Sequence, residues 1–189
     1  MKIRLAFLVI FISVFFPYVA VADNPAIQNI RISNSYTHLN LRFQLTNSFT
    51  LEMKEAIGNG IPTVFTYRVK LLQQRSFWGD KFLMETTFSK TIKLDNLKNE
   101  YTIVASNKNN GNGDIGSVVS TFSEAKRLIE KVQILSIYPI WKLERNNTYY
   151  FEIKAEAEGV KPPPYVHYLL FFLDWKYFET DWVIEKFRY

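Results

Sequence analysis

The aromatic C-terminal stretch, which runs from Tyr165 to Tyr189 as YVHYLLFFLDWKYFETDWVIEKFRY, restricts the folds open to this chain. It contains ten of the chain's 31 phenylalanine, tyrosine and tryptophan residues. Each of these rings buries a large area in a folded protein, and a run of them left in water would form a large apolar patch. We therefore expect the core to be assembled around this stretch.

Two interpretations of the stretch compete. Five of its rings recur at spacings of three and four residues, which would align them on one helix face: Tyr168, Phe171, Trp175, Phe178 and Trp182. Aromatic and β-branched residues dominate it, however, and they fit a pleated surface better than a helix. We favour a hairpin that turns near residues 174–177. Its first arm, Tyr165 to Leu173, is apolar on both faces, and its second arm returns through Phe178 and Ile184.

The N-terminus has the layout of a secretory signal peptide. Lys2 and Arg4 precede an apolar run, and the small residues Ala20 and Ala22 then form a cleavage site. We expect cleavage after Ala22, so that residues 1–22 are the signal peptide and residues 23–189 form one mature domain. The alternative is an inner-membrane anchor formed by residues 5–22, a charge-free segment just long enough to cross a bilayer. The favoured interpretation predicts a periplasmic protein.

Composition excludes several classes of function. Removal of Lys2 and Arg4 leaves 21 basic and 18 acidic residues. The basic residues are scattered, which is not the pattern of a nucleic-acid-binding protein. The chain contains no cysteine, so it has no disulfide, no thiol nucleophile and no thiol for lipid attachment. Stability must therefore come from burial of apolar surface.

Alternating apolar and polar residues predict a mainly β protein. The clearest case is the second predicted strand, where Leu39, Leu41, Phe43 and Leu45 alternate with polar residues. The predicted strands before the aromatic stretch are Ala26 to Ser33, Leu39 to Leu45, Thr63 to Leu72, Phe82 to Leu94, Glu100 to Ser106, Val132 to Trp141 and Tyr149 to Ala157. The third and fourth form an extended hairpin, and Phe82, Met84, Phe88, Ile92 and Leu94 are expected to share one face.

Two short helices are predicted. The first runs from Leu51 to Ile57 and ends at Gly58 or Gly60, either of which can adopt the left-handed conformation of a helix terminus. The second begins at Thr121, which forms a capping-box spacing with Glu124. The intervening loop, Asn107 to Gly116, is rich in asparagine and glycine. We expect a single antiparallel β-sandwich of immunoglobulin-like architecture, with eight or nine strands, two short helices and a preceding signal helix.

Several segments, in order, resemble an uncharacterised family of exported bacterial proteins, domain of unknown function 4390. They are Ala56-Ile57, Gly60-Ile61-Pro62, Trp78-Gly79-Asp80, Glu100-Tyr101, Phe122, Glu124-Ala125, Leu143, Tyr149, Pro162 to Pro164, Asp174-Trp175 and Trp182. They span nearly the whole mature chain. The arginine-rich approach to the Trp-x-Asp element is thinner here, with Arg75 alone after Gln73 and Gln74. The resemblance implies an exported, mainly β domain without an assigned activity. Because related genes often neighbour a membrane sensor kinase, it also implies an accessory role in envelope signalling.

No constellation in the sequence identifies a reaction or a cofactor. The chain has no Gly-x-Ser-x-Gly element and only two histidines, His38 and His167; nothing near His167 in sequence offers a nucleophile, and two histidines without cysteine do not predict a zinc site. The calcium-like alternation at Asn110, Asn112 and Asp114 supplies one carboxylate only. We therefore predict no enzyme, no cofactor and no metal.

Three readings of function remain open at the level of sequence. We favour a binding or accessory module for an envelope or inner-membrane protein, with no nucleic-acid partner. Its candidate interaction surface is Arg75, Trp78, Asp80, Tyr168, Phe171, Trp175 and Trp182. A carboxylate-dependent hydrolase of envelope glycans would need two of Asp80, Asp174 and Asp181 to meet in a cleft. A carrier would hold a hydrophobic ligand between the two sheets.

Overall fold

The computed structural model describes residues 24–107, 115–159 and 176–189. Within them, ten strands form two antiparallel sheets, and two helices lie between strands. The strands are β1 (Ala26–Asn34), β2 (His38–Thr46), β3 (Thr63–Gln73), β4 (Lys81–Asp95), β5 (Glu100–Asn107), β6 (Ile115–Val119), β7 (Lys131–Pro139), β8 (Thr148–Gly159), β9 (Lys176–Glu179) and β10 (Val183–Arg188), and the helices are α1 (Leu51–Gly58) and α2 (Phe122–Glu130). The predicted mainly β sandwich with two short helices is confirmed.

The two sheets differ in size. The small sheet has the order β1-β2-β7, and the large sheet has the order β10-β8-β3-β4-β5-β6, with β9 also paired to β8. The core lies between them and is built by period-2 alternation, as predicted. The inward residues of β3, the central strand of the large sheet, have no exposed area: Phe65, Tyr67, Val69 and Leu71. The predicted inward faces of β2 and β8 are likewise buried.

A bulge lets β1 bury more apolar residues than simple alternation allows. Ile27 and Ile30 are separated by an odd number of positions and would face opposite sides of a regular strand. The register with β2 shifts between Gln28 and Arg31, and Asn29 takes a positive φ of 54°. An extra residue in one strand reverses the facing of the residues after it. Ile27 is therefore buried while Ile30 and Ile32 also pack against the core.

A second bulge corrects one prediction for β4. The register with β3 shifts so that Leu71 pairs with Met84 and Leu72 pairs with Phe82. Because Leu71 points inward and its neighbour Leu72 outward, Phe82 lies on the outer face. Its exposed fraction is 56%. The expectation that Phe82 shares the buried face of Ile92 is wrong. Leu83, the extra residue of the bulge, packs against the core instead.

Both helices begin and end with the predicted signals. Thr50 and Thr121 each accept a hydrogen bond from the backbone N–H three residues on, which caps α1 and α2. Gly60 ends α1 with a φ of 78°, its N–H donates to Ile57 O, and the N–H of Ile61 donates to Ala56 O. This is a Schellman motif. No helix within the described ranges combines the length and apolar character needed to cross a bilayer.

A buried lysine joins α2 to the large sheet. Lys90 points inward from β4, and its Nζ donates to the carbonyl oxygens of Leu128 (2.6 Å) and Lys131 (2.8 Å) at the C-terminal end of α2. Cations are favoured there because the last helical carbonyls lack intrahelical partners. Burial lowers the pKa of the Lys90 ammonium to about 8. The hydroxyl of Tyr67 donates to Ile129 O at 2.7 Å, which adds a second tie.

The C-terminal stretch is a strand pair on the edge of β8 in its described part. Strands β9 and β10 both pair with β8, antiparallel, and residues 180–182 break the strand between them. Lys176 and Tyr177 belong to β9, so the predicted turn does not extend to them. Phe178 lies in a strand, so the alternative helix is wrong at this residue. The first arm, Tyr165 to Leu173, and the signal peptide, residues 1–22, lie outside the described residues.

Candidate interaction surface

Three loops meet at one end of the sandwich, which we call the aromatic end. They are residues 35–37 between β1 and β2, residues 74–80 between β3 and β4, and residues 140–147 between β7 and β8. The N–H of Ile140 donates to Thr37 O at 2.9 Å, Gln73 Nε2 donates to Glu144 Oε2 at 3.1 Å, and the N–H of Gln74 donates to Thr148 O at 2.9 Å. These bonds make one continuous surface from loops that are distant in sequence.

Four of the five mostly exposed rings of the described residues lie on the loops of the aromatic end, and the fifth, Phe82, lies at the adjoining start of β4. Every other described phenylalanine, tyrosine and tryptophan is buried or half-buried. The exposed rings, with their exposed fractions, are Tyr36 (102%), Phe77 (94%), Trp78 (80%), Trp141 (66%) and Phe82 (56%). Single exposed apolar residues are common on protein surfaces, but a cluster marks an interaction site. The aromatic end is therefore the strongest candidate surface of the described chain.

Asp80 fixes the loop that presents Phe77 and Trp78. Its Oδ1 accepts the backbone N–H of Arg75 at 3.0 Å, and its Oδ2 accepts the hydroxyl of Tyr150 at 2.6 Å. The Tyr150 bond, followed by the Arg75 bond, lowers the pKa of the Asp80 carboxyl. Burial, followed by the same bond to Asp80, raises the pKa of Tyr150 to about 12. Asp80 thus forms a clasp that ties the start and the end of the loop carrying Phe77 and Trp78 to each other and to β8.

Charge at the aromatic end is net positive. Six basic residues lie on its loops and on the adjoining parts of β4 and β10: Arg75, Lys81, Lys142, Arg145, Lys186 and Arg188. The same segments carry three acidic residues, Asp80, Glu144 and Glu185. Asp80 is bound as described above, and Glu144 Oε2 accepts bonds from Gln73 and from Asn147 Nδ2 at 2.9 Å. The surface therefore has an excess of basic side chains beside exposed rings.

Trp182 lies apart from the aromatic end. It is half-buried on the outer face of the large sheet, at the break between β9 and β10. Lys70 Nζ lies 4.4 Å from its ring centroid and Lys154 Nζ lies 5.6 Å away, which makes two cation–π contacts. Lys154 is four residues from Tyr150 along β8, a distance of about 13 Å. The structure brings Arg75, Trp78 and Asp80 together and places Trp182 elsewhere. Tyr168, Phe171 and Trp175 lie outside the described residues.

The carboxylates considered for hydrolysis do not meet where the chain is described. Asp181 is exposed and follows Thr180, which is hydrogen-bonded to Ala155. Ala155 is five residues from Tyr150, the partner of Asp80, and therefore about 17 Å from it along β8. Asp174 lies outside the described residues, as do His167, Asn110, Asn112 and Asp114. Among described residues, no three histidine, aspartate or glutamate side chains converge.

A cavity of about 480 Å³ lies at the other end of β4. Its lining includes Thr91, Lys93, Asp95 and Asn96, and it contains no aromatic ring. The carboxylate of Asp95 accepts the backbone N–H groups of Leu97 and Lys98, so it caps the following turn. The described outer face of the large sheet presents no specific set of binding groups, because its charged side chains pair with one another. Arg68, for example, pairs with Glu156 at 2.9 Å.

Sequence reasoning found the Trp78–Asp80 turn and missed the other rings of the surface. Tyr36 and Phe77 lie in segments that connect predicted strands, where polar residues normally dominate. Trp141 stands at the end of the predicted strand Val132 to Trp141, but β7 ends at Pro139 and Trp141 lies in the helical turn that follows. An aromatic residue in a polar turn is a signal of exposure that was available from the sequence. Phe82 could not be found this way, because its exposure depends on the bulge opposite Leu71.

The fold is that of a β-sandwich protein, because two antiparallel sheets pack around one core. The aromatic and basic loops at one end make that end its candidate binding surface. The family comparison agrees with the resemblance noted from the motifs. The chain belongs to the family described as domain of unknown function (DUF4390), whose model matches residues 22–185. No curated protein and no solved structure matches the chain.

Proposed function

We propose that this protein is a non-enzymatic, exported binding and accessory module of the bacterial envelope, and that the aromatic end is its contact surface. The proposal rests on one observation, the concentration of four of the five mostly exposed rings of the described residues on three hydrogen-bonded loops. Tryptophan, tyrosine, phenylalanine and arginine are the residue types enriched at the centres of protein interfaces. Exposed rings are costly in water, so a contact that covers them stabilises the complex.

The proposed partner is an envelope or inner-membrane protein, with a sensor kinase as the specific candidate. The motif order and the N-terminal Lys2-to-Ala22 layout support export, and the family resemblance supports the signalling association. A rigid presentation favours binding, because little conformational freedom remains to be lost when the partner docks. The Asp80 clasp supplies that rigidity at the hairpin tip.

Site-specific photo-cross-linking in intact cells tests the proposal. A photoreactive amino acid replaces Trp78 at the aromatic end or, as the matched control, Leu97 in the β4–β5 turn, which is 99% exposed. The two sites lie at opposite ends of β4, a strand of roughly 45 Å. We expect a discrete protein adduct from position 78 and none of that size from position 97. Equal adduct patterns from both positions, or none from position 78, would count against the proposed contact surface.

A further inference from the structure

We propose that the aromatic end docks on an anionic phospholipid surface, with its rings in the headgroup layer and its basic residues against lipid phosphates. The inference rests on the proposed function, because a module that serves an inner-membrane protein works beside a bilayer. It adds a second contact, made by lipid, which the protein partner does not supply. The placement of the rings, the placement of the charges and the geometry of the loops support this lipid contact.

The exposed rings suit the interfacial layer of a bilayer. Tryptophan and tyrosine are enriched at membrane–water interfaces, because their rings are apolar while their N–H or O–H remains hydrated. Trp78 stands next to Phe77, the apolar ring with the greatest exposure after Tyr36. Both are carried at the tip of the β3–β4 hairpin, where the strands end and nothing in the described chain covers them. The tip can therefore enter a lipid surface without rearrangement of the core.

Cations flank the rings on two of the three loops. Arg75 and Lys81 lie on either side of Phe77 and Trp78, and Lys142 follows Trp141 directly. Each basic side chain near an anionic bilayer adds to binding, and this attraction acts within a Debye length of the surface. The acidic residues Asp80, Glu144 and Glu185 keep their negative charges, but the six basic residues of this surface outnumber them two to one. A ring beside a cation thus recurs on two separate loops of one surface.

Loop geometry suits a bilayer. Tyr36, Phe77, Trp78 and Trp141 stand on three separate connections at one end of the sandwich, and all four are exposed. A fluid lipid surface accepts separate rings without shape complementarity, as interfacial amphipathic segments show. This arrangement predicts shallow insertion of the rings and binding that depends on anionic lipid.

The absence of cysteine makes a direct test possible. Ser76→Cys, next to Phe77, and Leu97→Cys, at the opposite end of β4, are each labelled with an environment-sensitive fluorophore in protein recovered from the envelope. We expect a blue shift and an increased intensity at position 76 with vesicles that contain phosphatidylglycerol, and no change with pure phosphatidylcholine. The label at position 97 should respond to neither. Because both proteins have the same N-terminus, any contribution from that region affects them equally.

Charge and ring variants separate the two parts of the interaction. Arg75→Gln with Lys81→Gln should weaken binding to phosphatidylglycerol vesicles by about fivefold for each charge removed. The matched pair Lys93→Gln with Lys98→Gln, at the far end of β4, should leave binding unchanged. Phe77→Ser with Trp78→Ser should abolish the spectral shift at position 76. These positions are all exposed, so the variants should keep the thermal unfolding midpoint of the parent protein.

The results distinguish the lipid proposal from the proposed function. An unchanged spectrum at position 76 with both vesicle types overturns the lipid contact, as does equal weakening by the near and far charge pairs. If protein adducts from position 78 persist in cells under either result, the protein contact stands. Vesicle binding without any adduct supports the lipid contact and removes the proposed protein partner.

Discussion

The bond between Tyr150 and Asp80 determines how acid affects the hairpin tip. The pKa of Asp80 lies below its ordinary value of 3.8, chiefly because the Tyr150 hydroxyl donates to the carboxylate. A lowered folded-state pKa means that the stabilisation is present above about pH 4 and is lost as pH falls through the folded value. Tyr150→Phe should raise the pKa of Asp80 toward 3.8, which carboxyl NMR titration measures. Tyr138→Phe is the matched control, and an Asp80 pKa that stays low in Tyr150→Phe would refute this account.

Lys90 gives the protein a second pH dependence of the same sign, in the alkaline range. Its pKa is about 8 in the folded protein against 10.5 ordinarily, so the unfolded chain binds the proton more tightly between these values. The free energy of unfolding should therefore rise with pH across this window, by up to about 3 kcal/mol. Lys90→Met should flatten that rise in urea unfolding measured from pH 7 to pH 9.5, where roughly half of the window is sampled.

The control for this effect lies on the same strand. Lys93 is exposed, so Lys93→Met should keep the slope of the parent protein. If Lys90→Met and the parent protein show equal slopes, the buried ammonium does not titrate in this range. The three carbonyl oxygens around Lys90 would then hold its proton more strongly than burial opposes it.

Among the elements, α1 offers a comparison of two glycines separated by one residue. Gly60 has a φ of 78°, where a side chain costs about 1–2 kcal/mol, so Gly60→Ala should destabilise the protein by that amount. Gly58 lies inside the helix with open space around it. Gly58→Ala should stabilise by about 0.5–1 kcal/mol, because alanine loses less conformational freedom on folding. Chemical denaturation of both variants gives the two signs, and equal signs would contradict the assigned helix end.

The elements also show what sequence patterns can and cannot predict. Alternation in β2, β3 and β8 predicted both the strands and their buried faces, because a half-buried strand exposes every second residue. Bulges are invisible to that pattern, so the facing of Ile27 and Phe82 was not predicted. The short strand β6 was missed because its residues alternate too weakly. The partner of the C-terminal strands was not predictable either, because β8 pairs with β9 and β10 through long-range contacts that leave no local signal.

At the scale of the whole molecule, the candidate surface depends on which strand ends meet. The loops that carry Tyr36 and Trp141 are far apart in sequence, and the N–H of Ile140 reaches Thr37 O only because β2 pairs with β7. No local pattern encodes that pairing, so the sequence predicted Trp78 as a contact residue without its companions. Trp182 was grouped with them because it belongs to the aromatic C-terminal stretch, although the fold gives it a different environment between two lysines.

The two-sheet architecture predicts a gradient of local stability. Strand β3 has paired neighbours on both sides and a fully buried inner face, whereas β6 has one neighbour and mostly exposed residues. Amide hydrogen exchange should therefore be slowest in β3 and β8 and fastest in β6. Mass spectrometry of exchanged peptides checks the order. Protection of β6 equal to that of β3 would mean that its open edge is covered by another chain or segment.

The position of β8 beside β3 has a consequence for synthesis. The β3–β4 hairpin is complete soon after residue 95 emerges, but the other neighbour of β3 is not made until residues 148–159. Contacts this distant in sequence close slowly, so a growing chain spends a prolonged interval with one flank of its central strand unsatisfied. That flank is a template for wrong pairing. Chaperones that hold unfolded chains should therefore bind this chain longest in the interval before β8 is synthesised.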